Sequence, residues 1–197
     1  MTHRSFNAIV DQDPAPPVWL VVRQLLRHPF RAFIEGWNWK AAILSWILRV
    51  PIYVITTLKS GWHAVALAAL VEASFTSGAA GVYAAFTEAV RYAQPQSIVA
   101  LLLLVALPAV MVALDAVVHL VARTPHLLAG VEASVVVSVV SSGFNWFSMR
   151  RGTLLVGDAA RPFSSDLSAL PKLILKFVAE PFVSLWRAAR QWCAALI

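Results

Sequence analysis

The order of apolar and polar positions divides the chain into four long apolar runs framed by two amphipathic segments. The runs cover residues 41–58, 63–89, 97–122 and 127–149. Each approaches or exceeds the roughly 20 residues that carry a helix across a bilayer core. The third, containing Leu101-Leu102-Leu103-Leu104-Val105, is the least interrupted. Turn chemistry separates them: Lys59-Ser60-Gly61-Trp62, then Tyr92 to Gln96 with Pro95, then Arg123-Thr124-Pro125. The pattern predicts an all-α integral membrane protein, a bundle of four transmembrane helices over residues 40–149.

The flanks have a different period. Residues 1–17 are polar, end in Pro14, Pro16 and Pro17, and read as a disordered lead. They lack the basic start and apolar run of a signal peptide. In residues 18–39, Arg23, Arg27 and Arg31 recur at spacing four beside Trp19, Leu20, Leu26 and Phe30, with Pro29 as a kink. This predicts an amphipathic helix lying in the membrane interface. Residues 150–169 read as a polar loop. Residues 170–197 form a second amphipathic element, with Lys172, Lys176, Glu180, Arg187 and Gln191 on one side and Pro181 dividing it.

Composition agrees with this division. Of 197 residues, 59% are hydrophobic and 13% charged, against about 25% charged in soluble domains. The net charge of +6 sits beside the apolar runs, which points to anionic lipid headgroups and away from nucleic acid. Five basic residues precede the first run, one lies in the middle loop and seven follow the fourth, while only Lys59 and Arg123 fall on the other side. This asymmetry predicts cytoplasmic termini in a bacterial inner membrane and requires an even number of spans. The lone Cys193 excludes an internal disulfide.

Four charges fall well inside the runs: Arg49, Glu72, Asp115 and Glu132. Intramembrane charges are costly and usually face protein or a water-filled cavity. In an antiparallel hairpin, residues equidistant from the turn lie at equal height. Arg49 and Glu72 are equidistant from the first turn, which predicts an ion pair roughly 15 Å below it. Asp115 and Glu132 are equidistant from the turn at Arg123-Thr124, with His119 one helical turn after Asp115 and His126 beyond the turn. Asp115, His119, Glu132 and His126 are therefore a candidate proton, ion or metal site. His63 starts the second run on the same side.

Small residues at spacing four, Ser77, Gly81 and Ala85 with Gly78 beside them, predict close helix packing. Val71-Glu72-Ala73-Ser74 recurs as Val131-Glu132-Ala133-Ser134, a candidate trace of a two-helix duplication. No phosphate loop, nucleophile elbow or HExxH signature is present, and neither a cofactor nor a catalytic residue is expected. The leading functional expectation is a non-enzymatic assembly or accessory component that self-associates or joins a membrane partner. The alternative is an ion- or proton-coupled transporter or channel subunit using the buried carboxylate and histidine layer.

Overall fold

The computed structural model describes residues 15–123, 127–157 and 160–194, and these are helical with no strand. They fall into two units, one up to Ala160 and one from Arg161 onward.

In the first unit, α1 (Val18–Arg27) ends at His28, before Pro29. A π-helical turn, Arg31–Glu35, follows. Proline has no N–H to donate and its ring crowds the preceding turn, so the chain breaks where the sequence places Pro29. Val18, Val21 and Leu25 are buried against Ala89, Val90, Ala93, Val99 and Leu103. Arg23, Arg27 and Arg31 are exposed. The helix therefore docks on the bundle through one apolar stripe and keeps its arginines outward. The stretch just before it is not free: Val18 N–H donates to the Gln94 carbonyl at 2.8 Å and Gln94 N–H to the Pro16 carbonyl at 2.9 Å. Residues 15–17 of the expected disordered lead are thus paired with a loop, because the β-like backbone before Val18 offers both its polar groups to Gln94.

Three helices are long and apolar enough to cross a membrane among the described residues. α2 is Trp39–Thr57, extended by a 3-10 turn to Ser60. α3 is Trp62–Val90. α4 runs over Gln96–Val121. Only 17% to 28% of each apolar window is buried. Outward-facing Ile47, Leu48, Ile55, Leu70, Leu101, Val105 and Leu120 are exposed, an apolar surface suited to lipid. α5 is Leu127–Met149, within which Val135–Met149 is a shorter apolar stretch, and it packs against α4 and α2.

α4 is interrupted by a π segment, Leu102–Ala106, just ahead of Pro108. Here Leu107 N–H donates to the Leu102 carbonyl. Pro108 has no N–H, so the Leu103 carbonyl loses its helical donor. Tyr83 on α3 replaces it, its hydroxyl donating to Leu103 O at 2.5 Å.

The second unit is one helix, α6, Phe163–Ala194, with Asp166 in its first turn, where a carboxylate favours the positive end of the helix dipole. It begins seven residues before the expected start at Leu170 and continues through Pro171 and Pro181. Part of the expected loop 150–169 is therefore helix.

Candidate functional site

Four of the helices each send one short polar stripe toward a common point. Arg49 and Tyr53 lie one turn apart on α2, Glu72 and Thr76 on α3, Asp115 and His119 on α4, and Ser138 and Ser142 on α5. Spacing four keeps each pair on one helix face. Glu72, Asp115 and His119 are fully buried.

Arg49 sits at the centre. Its Nε donates to Glu72 Oε1 at 2.6 Å, Nη2 to Asp115 Oδ2 at 2.7 Å and Nη1 to Ser138 Oγ at 2.8 Å. Two further hydroxyls support the same carboxylate oxygens. Thr76 Oγ1 donates to Glu72 Oε1 at 2.7 Å, and Tyr53 OH to Asp115 Oδ2 at 2.8 Å. The oxygens left over face His119. Its Nε2 lies 3.3 Å from Glu72 Oε2 and 3.6 Å from Asp115 Oδ1. The imidazole stacks flat on the Tyr53 ring, with centroids 3.9 Å apart and planes 7° from parallel. Asp115 Oδ1 is buried with no hydrogen-bond partner.

In low dielectric, formal charge decides what this arrangement tolerates. Two carboxylates face one guanidinium, leaving one negative charge when His119 is neutral. A proton restores the balance, and a divalent cation overshoots it by one charge. Glu72, Asp115 and His119 each offer one atom, all within 4.8 Å of one another, as could hold a metal ion.

A cavity of about 50 Å³ adjoins the cluster, enough for one or two waters. It is lined by Arg49, Thr76, Tyr83, Ser138, Ser142 and Asn145, among others. All its lining residues lie at the level of the cluster or on the side of residues 39, 90 and 149. On the opposite side, toward the 58–61 turn, Tyr53, Thr57 and His119 are buried and close the cluster off. Arg49, Thr76 and Ser138 form the wall shared by cavity and cluster.

The expected site residues distribute unevenly. Arg49 and Glu72 meet, and Asp115 and His119 join them. Glu132 does not: it is exposed. The hairpin argument sets its height, but the face of α5 turned inward carries Ser138, Ser142 and Asn145. At 100° per residue Glu132 lies about 120° around the helix from Ser138. His126 lies outside the described residues. His63 is exposed and packs beside Trp62, ring centroids 4.0 Å apart. The two VEAS copies consequently differ, with Glu72 buried and Glu132 exposed.

The small-residue stripe also divides. Gly81 and Ala85 are buried, whereas Ser77 and Gly78 are exposed. Nothing lies within 4 Å of a Cβ built on Gly78, while one on Gly81 would stand 1.8 Å from Trp37 Nε1. Gly81 thus makes room for an indole and not for another helix backbone.

A second polar cluster lies at the far end of the bundle, and the sequence reading passed over it. Asn38 caps α2 by accepting from Ala41 N–H at 3.1 Å. Its amide donates to Glu88 Oε2 at 3.1 Å and to the Leu154 carbonyl at 2.8 Å. Val156 N–H approaches both Glu88 oxygens at 3.4 Å. Arg91 and the buried Lys40 supply positive charge. Leu154, at φ 62°, takes a backbone conformation few non-glycine residues adopt, and its buried side chain and bonded carbonyl hold it there. Glu88 sits at the end of an apolar run, where a boundary reading assigns it to the interface. The i,i+4 partners Tyr53 and Thr76 were detectable as polar groups one turn from a buried charge.

No protein-family profile, curated protein or solved structure matches the chain.

Proposed function

We propose that the chain is an inner-membrane protein of four spans with cytoplasmic termini, and that its buried cluster binds a cation as part of an ion- or proton-coupled transport or channel function. The observation that carries this reading is Asp115 Oδ1, buried and without a hydrogen bond, in a cluster with two carboxylates against one guanidinium and His119 Nε2 3.6 Å away. A purely structural ion pair gains nothing from that surplus charge. Support for the fourth span comes from α5. Its 23 residues reach about 34 Å, and its Val136, Val139 and Val140 are exposed apolar groups. In the proposed orientation the cavity lies on the cytoplasmic side of the cluster.

The test is cation uptake by proteoliposomes, followed for protons with a trapped pH dye and for divalent ions with a trapped fluorescent chelator. Wild-type chain should move one of them and Asp115→Asn should not. No uptake of either would remove the reading.

An assembly role is the second reading, supported by the exposed face of α3 formed by Ser74, Ser77 and Gly78. Small residues on a lipid-facing surface let a partner helix approach closely. Gly78→Leu should then shift the chain to a smaller species on native gels.

A further inference from the structure

We propose that His119 Nε2, Glu72 Oε2 and Asp115 Oδ1 are the ligands of a first-row divalent metal ion of the zinc, manganese or ferrous class. The inference rests on reading the cluster as a cation site and names its occupant.

The three atoms come from two helices, Glu72 from α3 and Asp115 and His119 from α4, and His119 Nε2 stands in direct hydrogen-bonding contact with Glu72 Oε2. Nε2 stands 3.3 Å and 3.6 Å from the two carboxylate oxygens, and all three atoms lie within 4.8 Å of one another. Zinc bonds to nitrogen and oxygen run near 2.0–2.2 Å, which puts neighbouring ligands of a tetrahedral ion about 3.3–3.6 Å apart. The histidine-to-carboxylate edges already have that length.

The surrounding groups form the shell that a metal site needs. Metal-bound carboxylates usually have their other oxygen hydrogen-bonded, and that outer contact orients them. Here Glu72 Oε1 accepts from Arg49 and Thr76, and Asp115 Oδ2 from Arg49 and Tyr53. Each carboxylate is thereby turned so that its remaining oxygen faces His119. The Tyr53 ring fixes the imidazole plane. Asp115 Oδ1, fully buried, accepts no hydrogen bond, and the group facing it is His119 Nε2 at 3.6 Å. A metal ion gives that oxygen a bonding partner.

The donor set selects the class. Two carboxylates and an imidazole suit zinc, manganese and ferrous ions, whereas calcium and magnesium prefer all-oxygen cages and copper(I) prefers sulfur. Three protein ligands leave at least one position for water. Entry runs through the cavity wall at Arg49, Thr76 and Ser138.

The experiment uses the full chain in detergent micelles, stripped with EDTA and titrated calorimetrically with Zn²⁺ and Mn²⁺. Wild-type protein should bind a single ion, and His119→Ala and Asp115→Asn should each weaken binding by tenfold or more. Tyr53→Phe keeps all three ligands and should bind a single ion with affinity reduced about tenfold. Co²⁺ added to the wild type should give the intense visible absorption of a four-coordinate site, which His119→Ala abolishes. Should the ligand variants fail to fold, the wild-type titration decides alone. No bound ion, or folded ligand variants that bind as tightly as wild type, overturns the assignment. Proton uptake by proteoliposomes without metal binding overturns this inference and leaves the cation site standing; absence of both removes the two together.

Discussion

The bundle holds two buried polar clusters, built to opposite rules. At one end, the Glu88 carboxylate receives Asn38 and Val156 donors on both oxygens, and two cations, Arg91 and Lys40, act on it. Its loop partner, Leu154, is bonded through its own carbonyl. Nearer the middle, the Arg49 cluster carries two carboxylates for one guanidinium and leaves Asp115 Oδ1 without a hydrogen bond. A carboxylate with donors on both oxygens, joining helix ends and a loop, is a fastening. An unsaturated one, beside a cavity, has an opening for something else. Satisfaction of the carboxylate oxygens, and not burial or charge alone, separates the structural site from the candidate functional one.

The comparison breaks most severely at Arg49. Arg49→Leu leaves two buried carboxylates facing each other without a counter-charge. Removing one partner of a buried pair costs about 3–5 kcal/mol. Unfolding in detergent followed by circular dichroism should show a loss of that size, or the chain should fail to accumulate. A loss below about 1 kcal/mol would mean that the guanidinium is not holding the cluster.

Gly81→Leu attacks the fastening indirectly. Its side chain must displace the Trp37 indole, since even a Cβ stands 1.8 Å from Nε1. Trp37 directly precedes Asn38, whose N–H donates to the Gly81 carbonyl at 3.2 Å. Overpacking typically costs about 1–3 kcal/mol, and the melting temperature should fall accordingly. The loop at 150–157 should become more susceptible to limited proteolysis, because Asn38 no longer ties it down.

Two neutralising substitutions sharpen the contrast. Glu88→Gln weakens the acceptor shared by Asn38 and Val156 and removes the charge that balances Arg91 and Lys40. It should lose about 1–3 kcal/mol of stability and leave cation binding unchanged. Asp115→Asn removes the surplus negative charge and gives Arg49 a single carboxylate partner. Its stability should stay within about 1 kcal/mol of wild type, since the lost pairing is offset by relief of like-charge repulsion; cation binding should disappear. If Asp115→Asn destabilised the protein as much as Arg49→Leu, the two clusters would follow one rule.

Much of this arrangement was legible in the residues. Spacing gave the helices, and counting from the Ser60-Gly61 turn set Arg49 and Glu72 at equal height, where they meet at 2.6 Å. Height is a one-dimensional quantity and can be read from residue number. Rotation about the helix axis depends on which side of each helix the neighbours occupy, and no single hairpin fixes that. Glu132 shows the limit: equal distance from the turn pairs it with Asp115, but its position is exposed and not at the cluster. The same ambiguity split Gly78 from Gly81. The Asn38–Glu88–Leu154 cluster was illegible for another reason. Its members are 50 and 116 residues apart, and one of them contributes only a backbone carbonyl, which carries no sequence signal.

The smallest expected effect belongs to Glu132 and tests that argument about direction. Glu132 matches Asp115 in distance from the turn and Glu72 in its sequence neighbours, so any scheme based on height or duplication gives it a share in the site. The exposed position gives it none. Glu132→Gln removes one surface charge, and such changes usually shift stability by no more than about 0.5 kcal/mol. Metal affinity and proteoliposome uptake should match wild type within error. A tenfold fall in either would place the carboxylate at the cluster, and α5 would then have to turn by about a third of a revolution. That rotation would carry Ser138 away from Arg49 and remove the hydroxyls of α5 from the cavity wall. Glu132→Gln and Ser138→Ala are therefore opposed tests of one helix angle: only one of them should disturb the site.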